Sequence, residues 1–153
     1  MIKMTMKLTP KAQKALSVDV VKDSRVRFTF RDGLNMIADY ARDNHRYKTR
    51  TGKLEQSTEA QLLNDNPLVG SIGAGGGLAP YGIFVHEGTG RHYIKPVNKR
   101  VLRFVSGNNF IFSNGHYVNG IKPDPFLKQA IDVKLPEFET ELSKVIESVL
   151  EGD

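Results

Sequence analysis

The chain has 153 residues, 39% apolar and 25% charged, with a formal net charge of +5; this suits one domain with a real core and excludes a disordered composition. It contains no cysteine, which rules out disulfides, thiolate nucleophiles and cysteine-ligated metals. The moderate positive charge is compatible equally with nucleic acid and with an acidic protein surface. The opening MIKMTMKLTPKAQKAL carries positive charge without a continuous apolar core, so no secretory signal is expected and the protein should be intracellular when made. No apolar run approaches the ~20 residues that cross a bilayer, so no membrane role is expected.

Thr9 to about His45 is predicted as helix in two pieces, with Thr9 as N-cap and Pro10 in the first turn. In the second piece Phe30, Leu34, Ile37 and Ala41 recur at helical spacing and form one apolar stripe. Gly33 interrupts the pattern, which implies a kink or close packing. Val26, Phe28 and Phe30 also alternate, leaving a short extended opening as the alternative.

A basic loop with Lys48 and Arg50 then leads through Thr51-Gly52 to one short helical turn around Leu54. Two strands are predicted around 58–64 and 68–74, joined by Asn64-Asp65-Asn66-Pro67. Gly75-Gly76-Gly77 reads as a flexible loop opening onto a short central helix, with Tyr81, Phe84 and Val85 as its apolar side. Gly88 is expected to end that helix in the left-handed conformation. Arg91 to Ile94 restart the chain as an extended segment, which Pro96 ends.

A hairpin follows: residues 100–105, a turn at Ser106-Gly107-Asn108-Asn109, and a returning strand with Phe110 and Phe112. Its aromatic residues are expected to cover a core, with Phe126 packed against Leu102, Phe104, Phe110 and Phe112. Asn114-Gly115 marks a second turn, and Tyr117-Val118 a short strand. From Asp124 the pattern is helical, with a break or bend near Val133 caused by Pro136. Neither an internal repeat nor a linker is visible. The fold class is therefore α+β, a single domain over 1–153: an N-terminal helix, a small antiparallel sheet with hairpins, a short central helix and a C-terminal helix bent near Pro136.

Four constellations invite a chemical reading. Gly73-Ala74-Gly75-Gly76-Gly77 resembles a phosphate loop, but Leu78, Ala79 and Pro80 follow where a lysine is needed. His86-Glu87 with His92 lacks the second histidine four residues on, because position 90 is Gly90. His86 is better read as packed or hydrogen-bonded at the helix end. Asp19, Asp23, Asp39 and Asp43 sit among Lys22, Arg42 and Arg46, the pattern of a solvated helix face rather than an acid/base pair. The fourth is basic: Arg91, Lys95, Lys99, Arg100 and Arg103, interleaved with Tyr93 and Phe104. It could track phosphates, or form the solvent face of a hairpin toward a protein partner, which is the favoured reading. Catalytic, cofactor-binding and metal-binding residues are accordingly expected to be none, and no enzyme activity is expected.

In chain order, a leading helix is followed by Arg50-Thr51-Gly52-x-Leu54-x-x-Ser57, Ala79-Pro80-Tyr81 with Val85, and Gly88-Thr89. Then come Ile94-x-Pro96, Leu102-x-Phe104 and Lys122-Pro123-x-Pro125-Phe126-Leu127 with Ala130, before a final helix. This order resembles the head–tail joining or tail-completion (neck) proteins of long-tailed bacteriophages, over about residues 49–150. His86-Glu87 departs from the family's usual acidic residue followed by an aromatic. The resemblance implies a non-enzymatic virion protein at the head–tail junction, made in the host cytoplasm. It would form or join a homo-oligomeric ring of about six copies and contact neighbouring neck or tail proteins, while genome DNA passes through without sequence-specific binding. A tail terminator capping the tail tube is the near alternative, and a nucleic-acid-binding module using the Arg91–Arg103 hairpin the remote one. Candidate partner contacts are the loop residues Lys48, Arg50 and Lys53, the glycine loop Gly75, Gly76 and Gly77, and the basic run Arg91, Lys95, Lys99, Arg100 and Arg103.

Overall fold

The computed structural model describes the chain except Lys7, Thr9, Lys11, residues 13–15, Ser17, Asn66 and Asp153, and gives no side-chain detail for Val18, Asp19 and Asp65. The expected N-cap Thr9 lies outside the described residues. The fold is α+β. In chain order the elements are β1 (Ile2–Thr5), α1 (Val18–Lys22), α2 (Ser24–Asp43), α3 (Lys53–Gln56), β2 (Glu59–Asp65) and β3 (Leu68–Ala74). They continue with α4 (Gly82–Glu87), β4 (His92–Ile94), β5 (Leu102–Ser106), β6 (Asn109–Ser113), β7 (His116–Val118) and α5 (Phe126–Glu151).

α2 organises the core. It begins at Asp23, whose carboxylate accepts from the Arg25 backbone N–H at 2.7 Å and so satisfies one of the free amides of the first turn. Hydrogen bonds from the Arg25 side chain, and then this backbone bond, hold the Asp23 carboxyl below its ordinary pKa. The helix is regular from Ser24 onward, so the extended alternative at 26–30 does not occur. The apolar stripe lies as expected: Phe30, Leu34, Ile37 and Ala41 are all buried, and Val26 joins them.

One side of α2 meets an antiparallel sheet of order β1-β3-β2. Leu34 lies over Gly70 of β3, where an added Cβ would fall 2.5 Å from Leu34 Cδ1. At its C-terminal end Arg42 donates from Nη2 to the Thr58 carbonyl at 2.6 Å, tying α2 to the start of β2. β2 and β3 match the two predicted strands, with a register shift between Leu62 and Asn64. Strand β1 was not anticipated; its signal is the period-two pattern Ile2, Met4, Met6, Leu8 in the opening residues, and Ile2, Met6 and Leu8 are buried.

Another side of α2 meets α5. Phe138 sits where a side chain at position 33 would be, its Cδ2 only 2.0 Å from an ideal Cβ on Gly33. The ring also stands edge-on to Phe30, with centroids 5.5 Å apart. Gly33 thus serves close packing. α5 runs unbroken through Pro136, so of the expected break or bend near Val133 the break does not occur. Pro136 and Asp132 are both exposed, so the lost helical bond lies on the solvent side of the helix rather than in the core.

The C-terminal helix starts at a completely buried Phe126, and here a second expectation fails. Phe126 packs edge-on to Tyr47 (5.4 Å) and His86 (5.5 Å), not against the hairpin aromatics. Phe110 and Phe112 remain 58% and 62% exposed. Truncation of a fully buried phenylalanine should still cost about 3–5 kcal/mol. Phe126→Ala should therefore unfold at distinctly lower urea concentration than wild type. Coincident unfolding curves would contradict this packing.

Candidate partner-contact site

Two surfaces carry the candidate residues, a loop junction near the core and an arm that leaves it. The junction is built around Asp124, which lies between Pro123 and Pro125. Its carboxylate is 4% exposed and accepts the backbone N–H groups of Arg46 at 2.6 Å and Tyr47 at 2.8 Å. Its own N–H donates to the Val85 carbonyl at 3.0 Å. One residue thus joins the chain leaving α2, the end of α4 and the start of α5. The acid between two prolines was read only as a helix start; its second role depends on which loop lies opposite.

Around this anchor the separate sequence motifs converge. Gly52 takes φ 68 and opens α3, placing Leu54 in the core. Ser57 Oγ accepts from Gly75 N–H at 2.8 Å and donates to the Leu54 carbonyl at 2.7 Å. Gly82 presses on this corner, since a Cβ there would lie 2.8 Å from Leu54 Cδ1. α4 therefore buries Gly82 and His86 and leaves Tyr81 and Phe84 exposed; of the predicted apolar face only Val85 packs against the core. His86 is packed at the helix end as read from sequence, with Nδ1 2.8 Å from Glu87 Oε1. Burial, with the Glu55 and Asp124 carboxylates nearby, pushes the Tyr47 hydroxyl pKa upward.

Of the loop candidates, Lys48, Arg50 and Lys53 are all exposed. The glycine loop divides. Gly75 is buried and hydrogen-bonded, Gly76 is half-buried, and Gly77 stands open with nothing near its Cβ position.

The arm starts at Thr89, which exchanges backbone hydrogen bonds with Ile121. β4 then pairs with β7, and β5 with β6, so residues 89–121 form one antiparallel excursion in two paired sections. The base is aromatic: Tyr93 and Tyr117 meet edge-on at 5.2 Å, and the Arg91 guanidinium lies 4.8 Å from the Tyr117 ring centre. Between α4 and this base runs an apolar groove of about 620 Å³, lined in part by Phe84, Val118 and Ile121.

The tip corrects the sequence reading of the hairpin. Ser106 pairs with Asn109 across Gly107-Asn108, and this register places Phe104 opposite Ile111. Val105 then stands opposite Phe110, and Arg103 opposite Phe112, on the other face. The aromatics therefore do not share a face. Arg103 lies 4.7 Å over the Phe110 ring centre, and Val105 is 66% exposed beside it. Neither face of the tip enters the core. Arg91, Lys95, Lys99, Arg100 and Arg103 are all exposed.

Among the described residues no group of three His, Asp or Glu side chains is placed to hold a metal, and no helix is long and apolar enough to cross a membrane. No protein family, curated protein or solved structure matches the chain.

Gly88 closes α4 and sets the direction in which the arm departs. Its φ of 75 is positive as expected, but its ψ of 175 makes it extended in mirror image rather than left-handed helical. A Cβ there would fall 2.8 Å from both the Ile121 carbonyl oxygen and the Pro123 nitrogen, backbone atoms that cannot swing aside. Gly88→Val should lose about 2–5 kcal/mol from strain and overlap together. Urea unfolding checks this, and wild-type stability in the variant would show that the backbone turns elsewhere.

Proposed function

We propose that the chain is a non-enzymatic subunit of the head–tail connector of a long-tailed bacteriophage, acting through protein contacts at the neck of the virion. The observation that carries the reading is the arm. A lone soluble subunit gains nothing from keeping Val105, Phe110 and Phe112 in water on a projecting ribbon, whereas a subunit that completes its surface against neighbours does. The ordered sequence motifs support the same reading, because Leu54, Ala79, Phe126 and Leu127 are the buried positions that hold the junction at the arm's root. The exposed Lys48, Arg50 and Lys53 offer a second contact. The genome would pass through the resulting assembly without base-specific contacts.

A phage carrying a nonsense codon in this gene tests the reading. Infection should yield filled heads and finished tails that do not join, and an antibody to the chain should mark the neck of wild-type particles. Joined, infectious particles lacking the chain would overturn it. Tails of uncontrolled length would overturn it in favour of a tail terminator.

A further inference from the structure

Charge is strongly segregated along the second half of the chain. From Gly88 to Pro123 the cations are Arg91, Lys95, Lys99, Arg100, Arg103 and Lys122, and there is no carboxylate. The helix α5 that follows carries Asp132, Glu137, Glu139, Glu141, Glu147 and Glu151 against Lys128, Lys134 and Lys144. Each of those lysines already pairs within the helix, with Asp132, Glu137 and Glu141 respectively. Glu147 and Glu151 are exposed and have no ion-pair partner among the described residues.

An apolar groove lies between α2 and α5; the two glutamates are not among the residues that line it but sit one ridge of α5 away. The groove encloses about 640 Å³ and is lined in part by Phe28, Thr29, Val145 and Ser148. Phe28 is 72% exposed, an unusual position for a phenylalanine with no covering element. Two cations also border the groove, but Arg25 is paired with Asp23 at 3.4 Å and Lys144 with Glu141 at 2.8 Å. On the helix, Glu147 and Glu151 lie three residues beyond Lys144 and Ser148, on the neighbouring ridge.

We propose that the arm tip of one copy docks on the α2–α5 groove of a second copy. Phe110 and Phe112 cover Phe28 and Val145, and Arg100 and Arg103 face Glu147 and Glu151. A second copy is the occupant that the charges favour, since the chain supplies both halves of the match. Two arms meeting each other would place like charges together, which disfavours the symmetric arm-to-arm dimer. The contact is therefore head-to-tail, and such contacts generate rings when the rotation closes and filaments when it does not. Burial of the aromatics supplies the attraction, and the charges select partner and register. The proposal rests on the connector reading for closure into a ring; the contact itself is a property of the purified chain.

Sedimentation velocity on the full chain, over a range of protein and salt concentrations, tests the contact. Wild type should self-associate with increasing concentration, and less so at high salt. The pair Arg100→Glu with Arg103→Glu, and separately the pair Glu147→Lys with Glu151→Lys, should each weaken association roughly tenfold or more. Combining all four reversals in one chain should restore it, which a merely unfolded variant could not do. A wild type that stays monomeric up to about millimolar concentration, far above where a specific contact saturates, overturns the contact, as does a fourfold variant no better than either pair. A monomeric wild type that instead binds short duplex DNA through Arg100 and Arg103 assigns the arm to nucleic acid and likewise overturns it. Absence of the chain from virions would remove the connector role without touching this contact, so the two failures are distinguishable.

Discussion

Two missing side chains hold this molecule together. Gly33 on α2 admits the Phe138 ring of α5, and Gly70 on β3 admits Leu34 of α2. Each approach is closer than a Cβ would allow, so α2 is fixed at short range to the helix on one side and the sheet on the other. Packing at this density leaves little room for a further layer. The core is complete once α5, α2 and the sheet are in place, with Asp124 securing the loop that leads into α5. The long antiparallel excursion at 89–121 is left with no apolar face to join.

That exclusion gives the arm its chemistry. A ribbon inside a core would be selected for apolar residues facing inward and polar residues facing outward. This one carries cations and aromatics together, as in Arg103 over Phe110, a composition that suits the proposed role as a surface covered by a partner. The rigid junction at its root complements it. Thr89–Ile121 pairing, the constrained Gly88 and the buried Phe126 fix the direction in which the arm leaves. A stiff base lowers the ordering cost of any contact that a projecting element makes, and here the base is anchored directly to the main core.

Elements with a single strong period were legible in the sequence. Phe30, Leu34, Ile37 and Ala41 announce α2, and the strands flanking Pro67 are marked by turn chemistry. The α+β class follows from these. β1 was overlooked because Ile2, Met4, Met6 and Leu8 alternate inside a stretch weighed only as a targeting segment. α4 misled because helical periodicity identifies an apolar face but not what lies opposite. The small face of Gly82 is buried since it alone fits against Leu54, and Tyr81 and Phe84 point away. The hairpin misled for a related reason: alternation predicts strands, whereas core membership is decided by a packing partner far away in sequence, Phe138 at Gly33. Of the candidate contacts, the basic residues of the arm and of the 48–53 loop are exposed as expected, while Gly75 is held within the chain by Ser57.

The central claim is that the core is complete without the arm's aromatics. Its most direct measurement is the unfolding free energy of Phe110→Ser with Phe112→Ser, taken from urea titration of dilute protein at high salt, where contacts between copies are absent. The account expects stability within about 0.5 kcal/mol of wild type, as for substitutions at surface positions that no structural feature uses. A loss of about 3 kcal/mol or more, the scale of emptying a core site, would mean that these rings belong to the core, and would contradict the account.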